Sequence, residues 1–356
     1  MRKRLAVVGA ASILLGLVMI EVTLRVLWKP PQFFGPGAYA EYTAEERNRG
    51  LVGPQQLGKA CLRQPPRAWN YHPYFGFQSR VIDAACARAH FASGRLRVIY
   101  LGGSVMINAG APNALTTIDF YAMSEVPGLV SLNLAESGAR STNELIRLLL
   151  EVVPLRPDVV VFLDGYNEFN AIRYGGQAEE DYYWAAGVEE LVHRPYTHYL
   201  HALADKVRLF ELVLYRTGLV RSTRLARPRL SEVPRAAEYY LERTEQSQRV
   251  CDSYGIRCVF MLQPYLYAKE ARSPTEQSTA NYFSRARPQG AQILNKGYQY
   301  IRTHAAARGL HLVDLSRRPE PETLFFDECH LNKRGNAIVG RRIAEEFHRP
   351  AVPPGK

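Results

Sequence analysis

A serine that directly follows two glycines, Gly102-Gly103-Ser104, closes the apolar run Arg97-Val98-Ile99-Tyr100-Leu101. Paired glycines let the backbone approach closely, and a helix starting there would offer free N–H groups to an anion. Such a turn suits a serine nucleophile or a bound phosphate, and a plain helix-capping serine has the same local signature. Near the C-terminus, Asp327 stands three residues before His330. On one turn that carboxylate can reach Nδ1 and set the tautomer, which leaves Nε2 to take a proton from a serine. Acyl chemistry also needs two or three fixed N–H donors for a tetrahedral oxyanion. Gly138, in Asn133-Leu134-Ala135-Glu136-Ser137-Gly138, can offer a backbone N–H, and Asn167, in Asp164-Gly165-Tyr166-Asn167-Glu168, a side-chain amide. Each feature alone is common; four in this order, each after an apolar run, are hard to obtain by chance. Cys329 adjoins His330, but His330 already has Asp327 as partner, so the thiol reads as structural.

These residues need a scaffold that ends several strands at one place. Five short apolar runs supply it: 97–101, 130–134, 159–163, 256–262 and 311–315. Helical patterns lie between or after them, at about 141–153, 235–253, 291–308 and 332–348. Continuous apolar strands separated by helices imply a parallel sheet buried on both faces. Right-handed crossovers then give a three-layer α/β/α sandwich, whose chemistry sits at the carboxyl ends of the strands. One segment breaks the alternation, about Asn170 to Pro234. It carries Tyr174, Tyr182, Tyr183, Trp184, Tyr196, Tyr199 and Tyr215, then Arg216, Arg221, Arg224, Arg227 and Arg229. It reads as a helical excursion with a solvated basic face, or as a cap over the strand ends.

With those motifs in hand, the chain resembles the SGNH (GDSL-like) hydrolases over about Arg97 to His348. Gly102-Gly103-Ser104-Val105 is similar to the family's nucleophile motif, with Gly103 where the namesake motif has Asp. Gly138 falls on the glycine of its second motif. Gly165-Tyr166-Asn167-Glu168 keeps the Gly and Asn of Gly-x-Asn-Asp and replaces its last residue by Glu, and Asp327 and His330 match Asp-x-x-His. The resemblance implies a flavodoxin-like sheet of five parallel strands and a triad of Ser104, His330 and Asp327. It also implies an oxyanion hole made by the Ser104 N–H, the Gly138 N–H and the Asn167 amide. Neither a cofactor nor a metal is expected. Hydrolysis and acyl transfer share one acyl-enzyme, so both stay open. Membrane-anchored relatives that handle O-acetyl groups of exported polysaccharides make an acylated cell-envelope carbohydrate the expected substrate. The alternative is a catalytically silent glycan-binding module of the same fold.

The 356 residues carry 45 Lys and Arg against 34 Asp and Glu, a formal charge of +11. That excess suits an acidic partner, a membrane surface or nucleic acid. No Walker loop, zinc-ligand spacing or nucleic-acid motif is present, so no nucleic-acid partner is expected. Arg2-Lys3-Arg4 precedes an apolar run, and a helix from Leu5 to Trp28 would be about 36 Å long, enough to cross a hydrocarbon core. The reading is an uncleaved signal anchor at residues 1–29, followed by a juxtamembrane linker and N-terminal extension at 30–94. A hydrolase-like domain at 95–350 then carries the insertion at about 170–234. The basic N-terminus places the chain as a single-pass protein of a bacterial cytoplasmic membrane, its catalytic domain on the periplasmic side. Ala38-Tyr39-Ala40 leaves a cleaved signal peptide as the rival. Oligomeric state is left open. In an oxidising compartment five cysteines suggest the bridges Cys61–Cys86 and Cys251–Cys258, with Cys329 free.

Overall fold

Residues 12, 14–24, 61–63, 70–72, 74, 76–78, 80–107, 116–173, 178, 207–216, 228–318 and 320–349 are described by a computed structural model of the chain. Two compact units divide it: Met1–Gln32 with Trp184–Pro228, and Phe33–Tyr183 with Arg229–Lys356.

The second unit is built on the apolar runs. Two short antiparallel pairs come first: β1 (Leu62–Arg63) with β4 (Val81–Ile82), and β2 (Asn70–His72) with β3 (Gly76–Gln78). The main sheet comprises β5 (Leu96–Gly102), β6 (Leu129–Asn133), β7 (Val159–Asp164), β8 (Arg257–Leu262) and β9 (Leu312–Asp314). All four pairings are parallel and the order is β6-β5-β7-β8-β9. This is the expected five-stranded parallel sheet. Because β5 leads to β6 on one side and β7 lies on the other, the order reverses beside β5, and a crevice opens at the carboxyl ends there.

Strand periodicity of two divides the core. Val98, Tyr100, Val161, Leu163, Val259 and Met261 face one apolar layer. Ile99, Leu101, Val160, Phe162 and Phe260 face the other. Helices cover both layers. The patterns near 235–253, 291–308 and 332–348 form helices Val233–Tyr254, Gly290–Ala305 and Lys333–His348. The pattern near 141–153 is shorter as an α-helix, Ser141–Arg147, and continues as a π-helical turn, Leu148–Val152. Helices Ala84–Ala92, Ile118–Ser124 and Pro274–Ala286 had no counterpart in the sequence reading. Both expected bridges are present, Cys61–Cys86 and Cys251–Cys258, and Cys329 is free and buried.

In the first unit, residues 14–24 are helical and Leu14, Leu15, Leu17, Val18, Met19, Ile20 and Val22 are exposed. A second helix spans Arg208–Arg216, and the Leu209 N–H donates to Glu21 Oε2 at 2.8 Å. Among the described residues no helix is long and apolar enough to cross a membrane. The remainder of the expected span, and Tyr174, Tyr182, Tyr183, Trp184, Tyr196 and Tyr199 of the insertion, lie outside the described residues.

Candidate active site

Ser104 lies in the turn that follows β5. The Met106 and Ile107 N–H groups both donate to Gly103 O, at 3.0 and 3.1 Å. Glycine is needed in this turn. Gly102 has φ +149°, and a Cβ there would stand 2.5 Å from the Leu163 carbonyl oxygen of the neighbouring strand. A Cβ on Gly103 would stand 2.3 Å from Asn167 Nδ2. The family resemblance left Gly103 as an unexplained departure; the missing side chain is where the Asn167 amide sits.

The loop from Leu324 to Asn332 brings the base. Phe325 and Leu331 bridge across it, and Asn332 Oδ1 then caps the last helix by accepting from the Gly335 N–H at 2.9 Å. Between them the Asp327 carboxylate closes the turn. Its Oδ1 accepts the Cys329 and His330 N–H groups at 2.9 and 2.7 Å, and its Oδ2 lies 2.6 Å from His330 Nδ1. His330 Nε2 is 2.8 Å from Ser104 Oγ. Asp327 and His330 are buried, and the Phe326 ring stacks on the imidazole at 5.7 Å between centroids. Burial works most strongly against the imidazolium, but the Asp327 charge, followed by Cys329, outweighs it and holds the His330 pKa well above the ordinary histidine value. Burial pushes the Cys329 thiol up, and its Sγ lies 3.8 Å from His330 Nδ1. Asp327, Cys329 and His330 hold three donor atoms within 4.8 Å of one another, a spacing a metal ion can also use. Here both imidazole nitrogens are already engaged, one by Asp327 and one by Ser104.

The three donor candidates come from the ends of β5, β6 and β7. Asn167 is held at both ends of its carboxamide: Nδ2 donates to Ala139 O at 2.9 Å, and Oδ1 accepts from Asn170 Nδ2 at 3.0 Å. One of its two N–H bonds is thereby used, and the other remains for a ligand. Gly138 adopts φ +74°. Among the described residues, neither the Ser104 N–H nor the Gly138 N–H donates to a backbone acceptor.

Sequence reasoning did not find what holds the Gly138 loop. Arg80, from the N-terminal extension, donates to Asn133 O at 3.2 Å and to Ala135 O at 3.3 Å, and Arg147 donates to Leu134 O between them. Three successive carbonyls at the end of β6 are thus tied by two guanidinium groups. Lone arginines in a basic chain carry no signal that would have marked them. Glu168 is the second departure from the family motif, and its longer side chain has a use. Oε1 accepts the Ser141 N–H at 2.6 Å, capping the helix after Gly138, and Oε2 pairs with buried Arg140 at 3.4 Å. On the other side, fully buried Glu276 accepts the Leu324 and Phe325 N–H groups at 2.8 and 3.1 Å and pairs with buried Lys269. Glu276, held by that ion pair, fixes the loop segment leading into Asp327.

No protein-family model and no curated protein matches the chain by sequence. Solved structures align with it at low similarity. A lipolytic protein of the G-D-S-L family from Veillonella parvula aligns at 10% identity and a TM-score of 0.42, over 72% of this chain and 100% of its own. The lipase/acylhydrolase from Enterococcus faecalis aligns at 16% identity and 0.38, over 73% and 100%. A carbohydrate acetylesterase from Sinorhizobium meliloti aligns at 11% identity and 0.39, over 71% and 98%. Similarity of this order says nothing about activity, which has to be argued from the residues at the strand ends.

Proposed function

We propose that the protein is a serine esterase or acyl-transfer enzyme of SGNH type. The observation that carries this reading is the unbroken line from Ser104 Oγ to His330 Nε2 at 2.8 Å and from His330 Nδ1 to Asp327 Oδ2 at 2.6 Å. Ser104 Oγ attacks the ester carbonyl carbon while its proton passes to His330 Nε2. Asp327 holds the ring and stabilises the imidazolium that forms. Negative charge on the carbonyl oxygen is met by the Ser104 N–H, the Gly138 N–H and the second N–H of Asn167. Collapse expels the alcohol, which takes the proton from His330, and leaves an acyl group on Ser104. Water or a sugar hydroxyl then gives its proton to His330 as it attacks the acyl carbon, and His330 returns that proton to Ser104 Oγ as the Ser104–acyl bond breaks.

The acyl group is proposed to be a small one on cell-envelope carbohydrate, with the enzyme held at a membrane by its N-terminus. Several features support this location. Arg2-Lys3-Arg4 precedes the apolar run, and the described part of that run exposes apolar side chains. Two disulfides suit an oxidising compartment. The insertion's helix Arg208–Arg216 shares a unit with residues 14–24 and meets it through the Leu209 N–H on Glu21, and a basic residue such as Arg216 in that unit suits anionic head groups. Replacing Ser104→Ala is the test. Turnover of p-nitrophenyl acetate should fall to the uncatalysed rate while the thermal midpoint stays within a few degrees. An Ala variant with wild-type turnover removes Ser104 from the reaction. Extraction of full-length protein only by detergent is expected for the anchor, and release by high salt alone overturns it.

A further inference from the structure

Glu328 lies inside the Asp327–His330 turn and takes no part in the proton line, yet it is one of the most heavily bonded side chains among the described residues. Its Oε1 accepts from Arg173 Nη2 at 2.6 Å and from the Tyr267 hydroxyl at 2.9 Å. Its Oε2 accepts from Arg287 Nη1 at 2.8 Å and from the Tyr166 hydroxyl at 3.3 Å. The Glu328 side chain is 4% exposed and that of Arg173 is 1% exposed. Burial opposes the charge on Glu328 most strongly, but Arg173 and Arg287 outweigh it and keep the carboxyl below its ordinary value. A dry ion pair gains little net stability over apolar packing, so its worth has to be sought in geometry.

The other fork of Arg173 points to that geometry. Its Nη1 donates to the Tyr166 hydroxyl at 2.5 Å and to Asn170 Oδ1 at 3.2 Å. Asn170 Nδ2 in turn donates to Asn167 Oδ1 at 3.0 Å. A continuous chain of hydrogen bonds therefore runs from the Asn167 carboxamide through Asn170 and Arg173 to Glu328, the residue next to Asp327. A planar guanidinium can serve both ends at fixed angles, and a lysine cannot. Tyr166 closes a second, shorter loop over the same gap, since it precedes Asn167 and donates to Glu328.

Resting on the esterase reading, we propose that Arg173 and Glu328 are positioning residues that lock the oxyanion amide of Asn167 to the turn carrying Asp327 and His330. The end of β7 and the loop before the last helix are 155 residues apart in sequence at this contact, and this pair holds them in one register. The lock acts on the transition state, where amide and imidazole must meet the same substrate carbon, and contributes little to ground-state binding.

The experiment is a set of double-mutant cycles on p-nitrophenyl acetate hydrolysis. Asn170→Ala, Arg173→Lys and Glu328→Gln are each measured alone and combined with Asn167→Ala. Asn170→Ala breaks the chain but leaves both members of the buried Arg173–Glu328 ion pair in place, so it serves where Glu328→Gln unfolds. Active sites are counted by fluorophosphonate labelling, so that misfolded protein does not enter kcat. Each single variant should lose about tenfold or more in kcat with KM within about twofold, as a misplaced group does. Adding Asn167→Ala should then cost less than it does in the wild type, because the amide is already out of place. Wild-type kcat in Asn170→Ala and Arg173→Lys, or losses that multiply with Asn167→Ala, would overturn the positioning role while leaving the esterase reading intact. A wild-type enzyme without Ser104-dependent turnover would instead remove that reading, and this inference with it.

Discussion

The proposed acid–base half of the site comes from four consecutive residues, whereas the proposed donor half is gathered from three strand ends. Asp327 closes its own turn with two backbone N–H bonds and reaches His330 within the same turn. Asn167 depends on Ala139, Asn170 and the absent side chain of Gly103, and the Gly138 loop depends on Arg80 and Arg147. The difference teaches where each half is vulnerable. The local half fails by loss of chemistry when one group changes. The assembled half also fails by displacement, through residues that touch no substrate.

The largest expected effect lies in the local half. Asp327→Asn should lower kcat by roughly 10⁴-fold through the wrong imidazole tautomer, with KM little changed. A loss under tenfold in stopped-flow or steady-state assays would show that His330 is oriented by something else.

In the assembled half, Asn167→Ala should cost on the order of 10²–10³ in kcat. Gly103→Ala should reproduce most of that loss, about 10²-fold, without altering any proposed catalytic group, because its Cβ would occupy the position of Asn167 Nδ2. If Gly103→Ala retains wild-type kcat, the amide is not where the oxyanion forms.

The same contrast explains what the sequence could and could not say. Asp-x-x-His is legible because three-residue spacing within a turn fixes the geometry by itself. The parallel sheet was legible because Val159-Val160-Val161-Phe162-Leu163 is apolar at every position, as a strand buried on both faces must be. Helix Pro274–Ala286 has no legible apolar pattern, although Ser273 and Glu276 form a capping box and Pro274 sits in its first turn. Its inward face includes Glu276 and Thr279, both fully buried, so no apolar stripe marks it. Arg80, Arg147, Arg173 and Glu328 act across folded distances, and no local pattern encodes their partners. Glu168 read as a departure from a motif, yet its extra methylene lets it cap Ser141.

Smaller effects follow from pH. His330 must be neutral to accept a proton, and its pKa is held above the usual value of about 6.5. The acid limb of kcat/KM should therefore have its midpoint above about pH 6.5, and an acid limb below pH 6 would contradict the strong Asp327 contact. At the end of β7, the buried Asp164 carboxyl is pushed up to about 6, chiefly by burial, and accepts from the Tyr240 hydroxyl at 2.8 Å. Its neighbour Glu144 is also pushed well up by burial and by Asp164. Between the unfolded value near 3.8 and about 6 the native state binds more protons, so stability from this group falls as pH rises through that window. The thermal midpoint should drop more steeply there in the wild type than in Asp164→Asn, by roughly 2–4 °C for about 1 kcal/mol. Equal slopes would show that Asp164 does not titrate in that window.

The most direct measurement is fluorophosphonate labelling of the purified protein, followed by mapping of the modified peptide. A Ser104 alkoxide generated by His330 and met by fixed N–H donors should be phosphonylated stoichiometrically, at Ser104 alone, and His330→Ala should slow the labelling by orders of magnitude. Intact protein with Ser104 unmodified after prolonged exposure, or labelling that is unaffected by loss of His330, would contradict an activated serine at the end of β5.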